Sequence, residues 1–209
     1  AEWAIMLHDI EVTAQQFVNF CGEGEWFVGT RGGSADHAAM KYGRRGTINH
    51  VGFHDFELLR QIDLPESHTL VVCNSYIQAK KAAGAKDAFN SRVASYLIGV
   101  QLIRQRFEQF APFVKFVRDV NPQSLHVPLS QVYEILLELP ESMTAQDVYA
   151  TFSQQRASWD VLAPYFENAR TDTVYPVRGV VLFGISECAR SIRAADCLEQ
   201  NDLAGLGQL

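Results

Sequence analysis

The sequence predicts an α+β protein with strands early and helices late, and three observations carry that expectation. Residues 45–64 read as a β-hairpin. Thr69-Leu70-Val71-Val72-Cys73 is a short continuous apolar run, the mark of a central strand. Beyond residue 88 apolar side chains recur at helical spacing, without the alternating βαβ units of a parallel sheet.

In chain order, Ala1–Leu7 has the apolar pattern of the end of a buried helix. Thr13-Ala14-Gln15-Gln16 is a capping box, in which the Thr13 hydroxyl accepts from the N3 amide while Gln16 reaches back. A helix is therefore expected from Ala14 through Phe17 and Phe20 to a stop at Gly22. The glycine-dense stretch 23–34 follows and turns helical through Ala38-Ala39-Met40-Lys41. Ser34 is its expected N-cap, which places Asp36 in the first turn. After the hairpin and the apolar run, residues 76–88 form a basic connector. A long helix comes next, with Val93, Leu97, Val100, Ile103 and Phe107 on one stripe.

Pro112, Pro122, Pro128 and Pro140 separate short helices in the middle of the chain, and Thr144 caps a helix starting at Ala145. Pro176 suits the first turn of a last long helix. The stripe of that helix is Val181, Ile185, Cys188, Ile192 and Ala195, and Asn201-Asp202 turns the chain into a short final helix. Trp and Phe residues at helical spacing are expected in the core.

Composition excludes several function classes. The 209 residues are 47% hydrophobic and 20% charged, the profile of a globular protein. A chain of this size buries roughly 70% of its unfolded surface on folding. A net charge of −6 argues against a sequence-independent grip on nucleic acid, which needs clustered Lys and Arg. No apolar run reaches the roughly 20 residues that span a bilayer, so no membrane partner is expected. Cys21, Cys73, Cys188 and Cys197 are widely spaced, with no ligand or disulfide pattern, which fits a reducing cytoplasm. Both ends fall within apolar helical patterns, and the chain reads as an internal fragment.

Gly32-Gly33-Ser34-Ala35-Asp36-His37 carries the strongest chemical signal. Two glycines let backbone approach a ligand closely, and the helix start behind them offers unpaired amides. A carboxylate in that first turn can accept a proton or orient a hydroxyl at neutral pH. The same pattern also suits an ordinary glycine turn whose Asp complements the helix dipole. It is not a Walker loop, because no Lys-Ser or Lys-Thr follows the glycines. His50, His54 and Asp55 are set aside as a metal site, since strand residues four apart lie about 13 Å apart along the chain. Arg31, beside the glycine turn, is a weaker candidate for orienting Asp36 or a substrate.

From Phe27-Val28-Gly29 through Gly33-Ser34-Ala35-Asp36-His37, the chain resembles the sugar-binding segment of galactokinases, members of the GHMP kinase superfamily. Leu70–Cys73 followed by Asn74-Ser75 resembles a strand of that family ending in asparagine-serine. Phe89-Asn90-Ser91-Arg92 resembles a tyrosine-x-x-arginine helix start, and Tyr175-Pro176-Val177-Arg178 through Asn201-Asp202 resembles a later helix pair. The likeness touches most of the chain except residues 112–172, which read as a possible insertion.

The resemblance implies a GHMP-kinase-like α+β fold, with residues 1–64 closing an N-terminal catalytic domain and 65–209 in a mostly helical part of a C-terminal domain. It implies ATP- and Mg²⁺-dependent phosphorylation of the anomeric hydroxyl of a monosaccharide, with Asp36 as base or electrostatic partner of the attacking oxygen. Gly33, Ser34, His37, Asn74 and Phe89 become candidate substrate-binding residues, and Lys80 and Lys81 candidate phosphate contacts. His37 stands where the family has glutamine. Phe89 stands where it has a tyrosine hydroxyl, so another aldose or a uronic acid enters beside galactose.

The family's charged N-terminal motif, phosphate loop and last glycine motif are not in this sequence, and no metal ligand is expected within it. The resemblance therefore implies that the rest of a parent chain completes the site and that this chain alone is inactive. A non-catalytic sugar and ATP sensor, or a kinase of another small alcohol, are the alternatives.

Overall fold

The computed structural model describes residues 2–28, 32–53, 56–77, 83–166 and 169–209. It is mixed α and β, with small antiparallel sheets, as the sequence predicts at that level. The chain forms two compact units, Ala1–Ala79 with Arg190–Leu209, and Lys80–Ala189. The sequence-based division stands at 64/65, whereas the compact units part at 79/80 and the last 20 residues group with the first unit.

In the first unit, helix α1 covers Glu2–Leu7, α2 Ala14–Gly24 and α3 Ala35–Tyr42. The expected capping box is present: Gln16 N–H donates to Thr13 Oγ1 at 3.1 Å, and Thr13 N–H donates to Gln16 Oε1 at 2.9 Å. The helix runs to Gly24, two residues past its expected stop. Strands β1 (Thr47–Gly52) and β2 (Glu57–Asp63) pair antiparallel from Thr47↔Asp63 to Gly52↔Glu57, with an irregularity at His50/Val51.

Val18 of α2, Ala38 of α3 and Phe56 at the hairpin end form the small core, with Phe17, Tyr42, Val51 and Leu58 around it. Asn19 Oδ1 accepts from the Phe56 N–H at 2.9 Å, so a buried backbone amide is satisfied where the hairpin meets α2. Such short elements draw their stability from this shared apolar contact rather than from helix propensity.

Two expectations fail in this unit. Helix α1 forms but buries no residue, and Trp3 is 83% exposed. The expected central strand over Thr69–Cys73 belongs to neither sheet, and Leu70, Val71 and Val72 are 69%, 80% and 96% exposed. A continuous apolar run becomes a buried strand only when neighbours pair with its edges and cover its faces. Among the described residues none does.

The second unit is organised by α4 (Ala83–Arg106). The helical part of the expected connector belongs to this helix from Ala83. Its apolar surface is wider than the single expected stripe: Ala94, Ile98, Val100, Leu102 and Ile103 are all buried, and Val93 and Leu97 are half-buried. Around it come α5 (Pro122–Leu125), α6 (Leu129–Leu137), α7 (Ala145–Phe152), α8 (Arg156–Leu162) and the start of α9 (Val177–Glu199). Each fully buried Ile or Leu here contributes about 1.5–3 kcal/mol relative to exposure. The residues read as an insertion supply much of this core, including Val132, Ile135, Leu139, Phe152 and Leu162.

Local rules set the boundaries. Thr144 caps α7, as expected, and Asp147 completes a capping box with it. The Thr144 hydroxyl, then its amide, hold the Asp147 carboxyl below the usual carboxylate range. Pro176 sits immediately before α9 rather than inside its first turn. The carbonyls at the end of α6 are taken up by arginine: Arg178 donates to Leu139 O at 2.8 Å and to Leu137 O at 3.0 Å, and Arg106 donates to Glu138 O. Strands β3 (Met143–Thr144) and β4 (Val174–Tyr175) pair antiparallel. In the first unit, Asn201 turns left-handed at φ 56° and leads into α10 (Leu203–Leu206). Among the described residues no helix is long and apolar enough to cross a membrane.

Close approach of α4 and α9 depends on glycine. A Cβ at Gly99 would stand 2.3 Å from Val181 Cγ2, and one at Gly184 would stand 2.5 Å from Tyr96 Cε1. Gly99→Ala and Gly184→Ala should each lower unfolding free energy by about 1–3 kcal/mol through overpacking. Gly179→Ala, with nothing within 4 Å of the added carbon, should raise it by about 0.5–1 kcal/mol. Urea titration of the three variants checks the contrast.

Candidate active site

The candidate site is built on the turn between α2 and α3. Ser34 is the N-cap by position, but its side chain makes no capping hydrogen bond. It is 6% exposed and packs against α2, where a Cβ on Gly22 would come within 3.0 Å of Ser34 Cβ. Its structural role is to pin the turn to α2.

Asp36 lies in the first turn of α3, as expected, and its side chain is exposed. His37, half-buried, places Nε2 3.3 Å from Glu25 Oε1. That is an ion-pair distance when the imidazole is protonated, though Nε2 makes no hydrogen bond. Glu25 belongs to the 3-10 turn Glu25–Val28 that follows α2. Its Oε2 would be 3.3 Å from a Cβ on Gly32.

Side chains of this chain border both glycines. A Cβ on Gly33 would meet the ring of Phe53 at 2.9 Å, so the space above Gly33 is occupied by an aromatic side chain of this chain. Trp26 Nε1 donates to Gly32 O at 3.5 Å. Indole and benzyl side chains thus border the turn that delivers Asp36. Phe27 is 95% exposed and Trp26 is 37% exposed. The packing of Phe53 on Gly33 and the approach of Glu25 to Gly32 and His37 were not legible in the sequence. The doubled glycine, which marks a place where something bulky comes close, was the only signal.

The remaining candidates fall elsewhere. Asn74 is exposed, and its Oδ1 accepts from the Tyr76 N–H at 2.8 Å, closing a local turn. Phe89 is 42% exposed near the start of α4, in the second unit. Arg31, His54, Asp55, Lys80 and Lys81 lie outside the described residues.

Two of the open hollows formed by the described residues are not lined by Asp36. One of about 510 Å³, bordered by Arg106, Pro140 and Asp147, is in the second unit. The other, of about 680 Å³, is in the first unit beside Asp63, Pro65 and Asn201. Among the described residues, Glu25, His37, Trp26 and Phe53 border the glycine turn and the start of α3. None of them is a lysine or arginine that could neutralise a triphosphate. No group of three metal-ligating side chains occurs among the described residues.

His50 has a structural setting. Its Nδ1 is buried without a hydrogen-bond partner. Beside it, Arg60 Nη1 donates to Asp196 Oδ1 at 2.5 Å and to Glu199 Oε2 at 3.2 Å, tying β2 to the end of α9. Burial, then the Arg60 charge, pushes the His50 pKa below its ordinary value, against the pull of Asp196 and Glu199.

No protein-family model, curated protein or solved structure matches this chain.

A histidine with a depressed folded-state pKa contributes stability that is present above its unfolded value of about 6.5 and is lost as pH falls. The urea midpoint should therefore fall between about pH 7.5 and pH 5.5. His50→Gln should reduce that fall. Denaturation at the two pH values measures it.

Proposed function

We propose that this chain carries the acceptor-activating part of a galactokinase-like, ATP-dependent sugar kinase that phosphorylates the anomeric hydroxyl of a galactose-related aldose or uronic acid. The single observation that carries the reading is Asp36 itself: an exposed carboxylate in the first turn of α3, delivered by a glycine turn that is packed against α2. The motif likeness around it supplies the reaction class.

On this reading the Asp36 carboxylate orients the anomeric hydroxyl and accepts its proton as the oxygen becomes phosphorylated. The position at a helix start leaves the carboxylate oxygens open to solvent and hence to a ligand. Glu25, close to Gly32 and His37, and Phe53, on Gly33, border the turn. ATP with Mg²⁺ supplies the phosphoryl group, and its binding residues are assigned to parts of the full-length gene product outside the described residues. The GHMP-like arrangement of the fold is part of the same proposal.

Asp36→Asn in the full-length gene product should lower phosphoryl transfer to a galacto-configured sugar by about 10²–10⁴-fold. Circular dichroism and the melting temperature should stay unchanged, because Asp36 is exposed. Sugar-dependent ADP release over a panel of aldoses and uronic acids is the measurement. A variant that keeps most of its rate removes Asp36 from the mechanism.

A further inference from the structure

The hollow of about 510 Å³ in the second unit is bordered by two opposite charges that do not meet. Arg106 ends α4, and Asp147 lies in the first turn of α7. Both line the hollow, yet among the described residues no ion pair joins them. Each is held by its own neighbours instead. Arg106 Nη1 donates to Glu138 O, which leaves Nη2 and Nε without a partner among the described residues. Asp147 Oδ2 accepts from the Thr144 hydroxyl at 2.6 Å and from the Thr144 amide at 2.9 Å. Its Oδ1 accepts no hydrogen bond among the described residues. The Thr144 hydroxyl, then its amide, keep this group a carboxylate at neutral pH.

The hollow is also lined by Leu102 and Met143, which are 3% and 9% exposed, so the buried part of its lining is apolar. Gln105 and Ser142, both exposed, add polar groups. Small-molecule sites combine these features, an apolar lining with a few polar or charged groups, in about 300–1,000 Å³.

We infer that this hollow binds a small zwitterion, an α-amino acid with an apolar side chain, its carboxylate on Arg106 and its ammonium on Asp147. The site is separate from Asp36, which lies in the first unit, and does not depend on the sugar-kinase reading. A guanidinium with two unpaired donor positions suits the two oxygens of a carboxylate. Charge pattern decides the class. A polyanion such as a nucleotide would face the Asp147 carboxylate with a single cation to hold it, and a dication would face Arg106. A ligand carrying one charge of each sign pairs both. Because Arg106 and Asp147 are not already paired with each other, no ion pair has to break first. Leu102 and Met143 then take the apolar side chain.

Saturation-transfer NMR on the full-length gene product tests this, with L-leucine as the probe. L-Leucine should bind saturably with a Kd on the order of 1 mM. Two analogues read the charges without any substitution: 4-methylpentanoate lacks the ammonium, and 3-methylbutylamine lacks the carboxylate. Each should bind at least about tenfold more weakly than L-leucine. Asp147→Asn keeps an oxygen for Thr144 but loses the charge. It should weaken L-leucine about tenfold and leave 4-methylpentanoate unchanged. Arg106→Gln should weaken L-leucine as much and leave 3-methylbutylamine unchanged. Ser142→Trp, at an exposed position on the lining, should block all three probes without touching either charge. The inference is overturned by the absence of saturable L-leucine binding up to about 20 mM. Equal affinity for the three probes, or L-leucine binding that survives Ser142→Trp, overturns it as well.

Discussion

Contact between Gly22 and Ser34 holds the first unit's most chemically suggestive segment in place. Without a side chain at 22, α2 lets the buried Ser34 side chain lie directly against its backbone. The N-terminus of α3 is thereby fixed, and Val18 and Ala38 meet Phe56 in a core of few residues. Glu25 can reach Gly32 and His37 only because the turn returns to the end of α2, and Phe53 can lie on Gly33 only because the hairpin is held by Asn19.

The second unit solves a different problem. A long helix buried on most sides needs neighbours around its whole circumference, and α5 to α8 with the start of α9 provide them. Residues 112–172 look irregular as a sequence because prolines divide them into short helices, yet they pack as core. Arginine closes the carbonyl end of α6 from two directions, from α4 through Arg106 and from α9 through Arg178. The α4 and α9 backbones come together at glycines, where side chains of Val181 and Tyr96 take the room a Cβ would fill.

Legibility in the sequence tracked the range of the interactions. The capping box at Thr13 and the cap at Thr144 join residues three apart, and both are present as read. The hairpin and the position of Asp36 in a first helical turn are similarly local. The strand expected over Thr69–Cys73 was not realised, because a strand is defined by partners that local pattern does not contain. Burial of α1 failed for the same reason: its apolar residues have no covering surface among the described residues. Phe53 over Gly33 joins positions twenty apart through the hairpin, and no spacing rule links them. Ser34 was legible as a helix start but not as a buried contact, since the cap position says nothing of what lies on its other side.

The central claim is that the open carboxylate at the start of α3 receives the anomeric hydroxyl of a sugar lying beside the glycine turn. A crystal structure of the full-length gene product with bound D-galactose or D-galacturonate tests this most directly. The account predicts an Asp36 oxygen within about 2.6–3.2 Å of the C1 hydroxyl oxygen. A sugar bound with its C1 hydroxyl remote from Asp36 would contradict it.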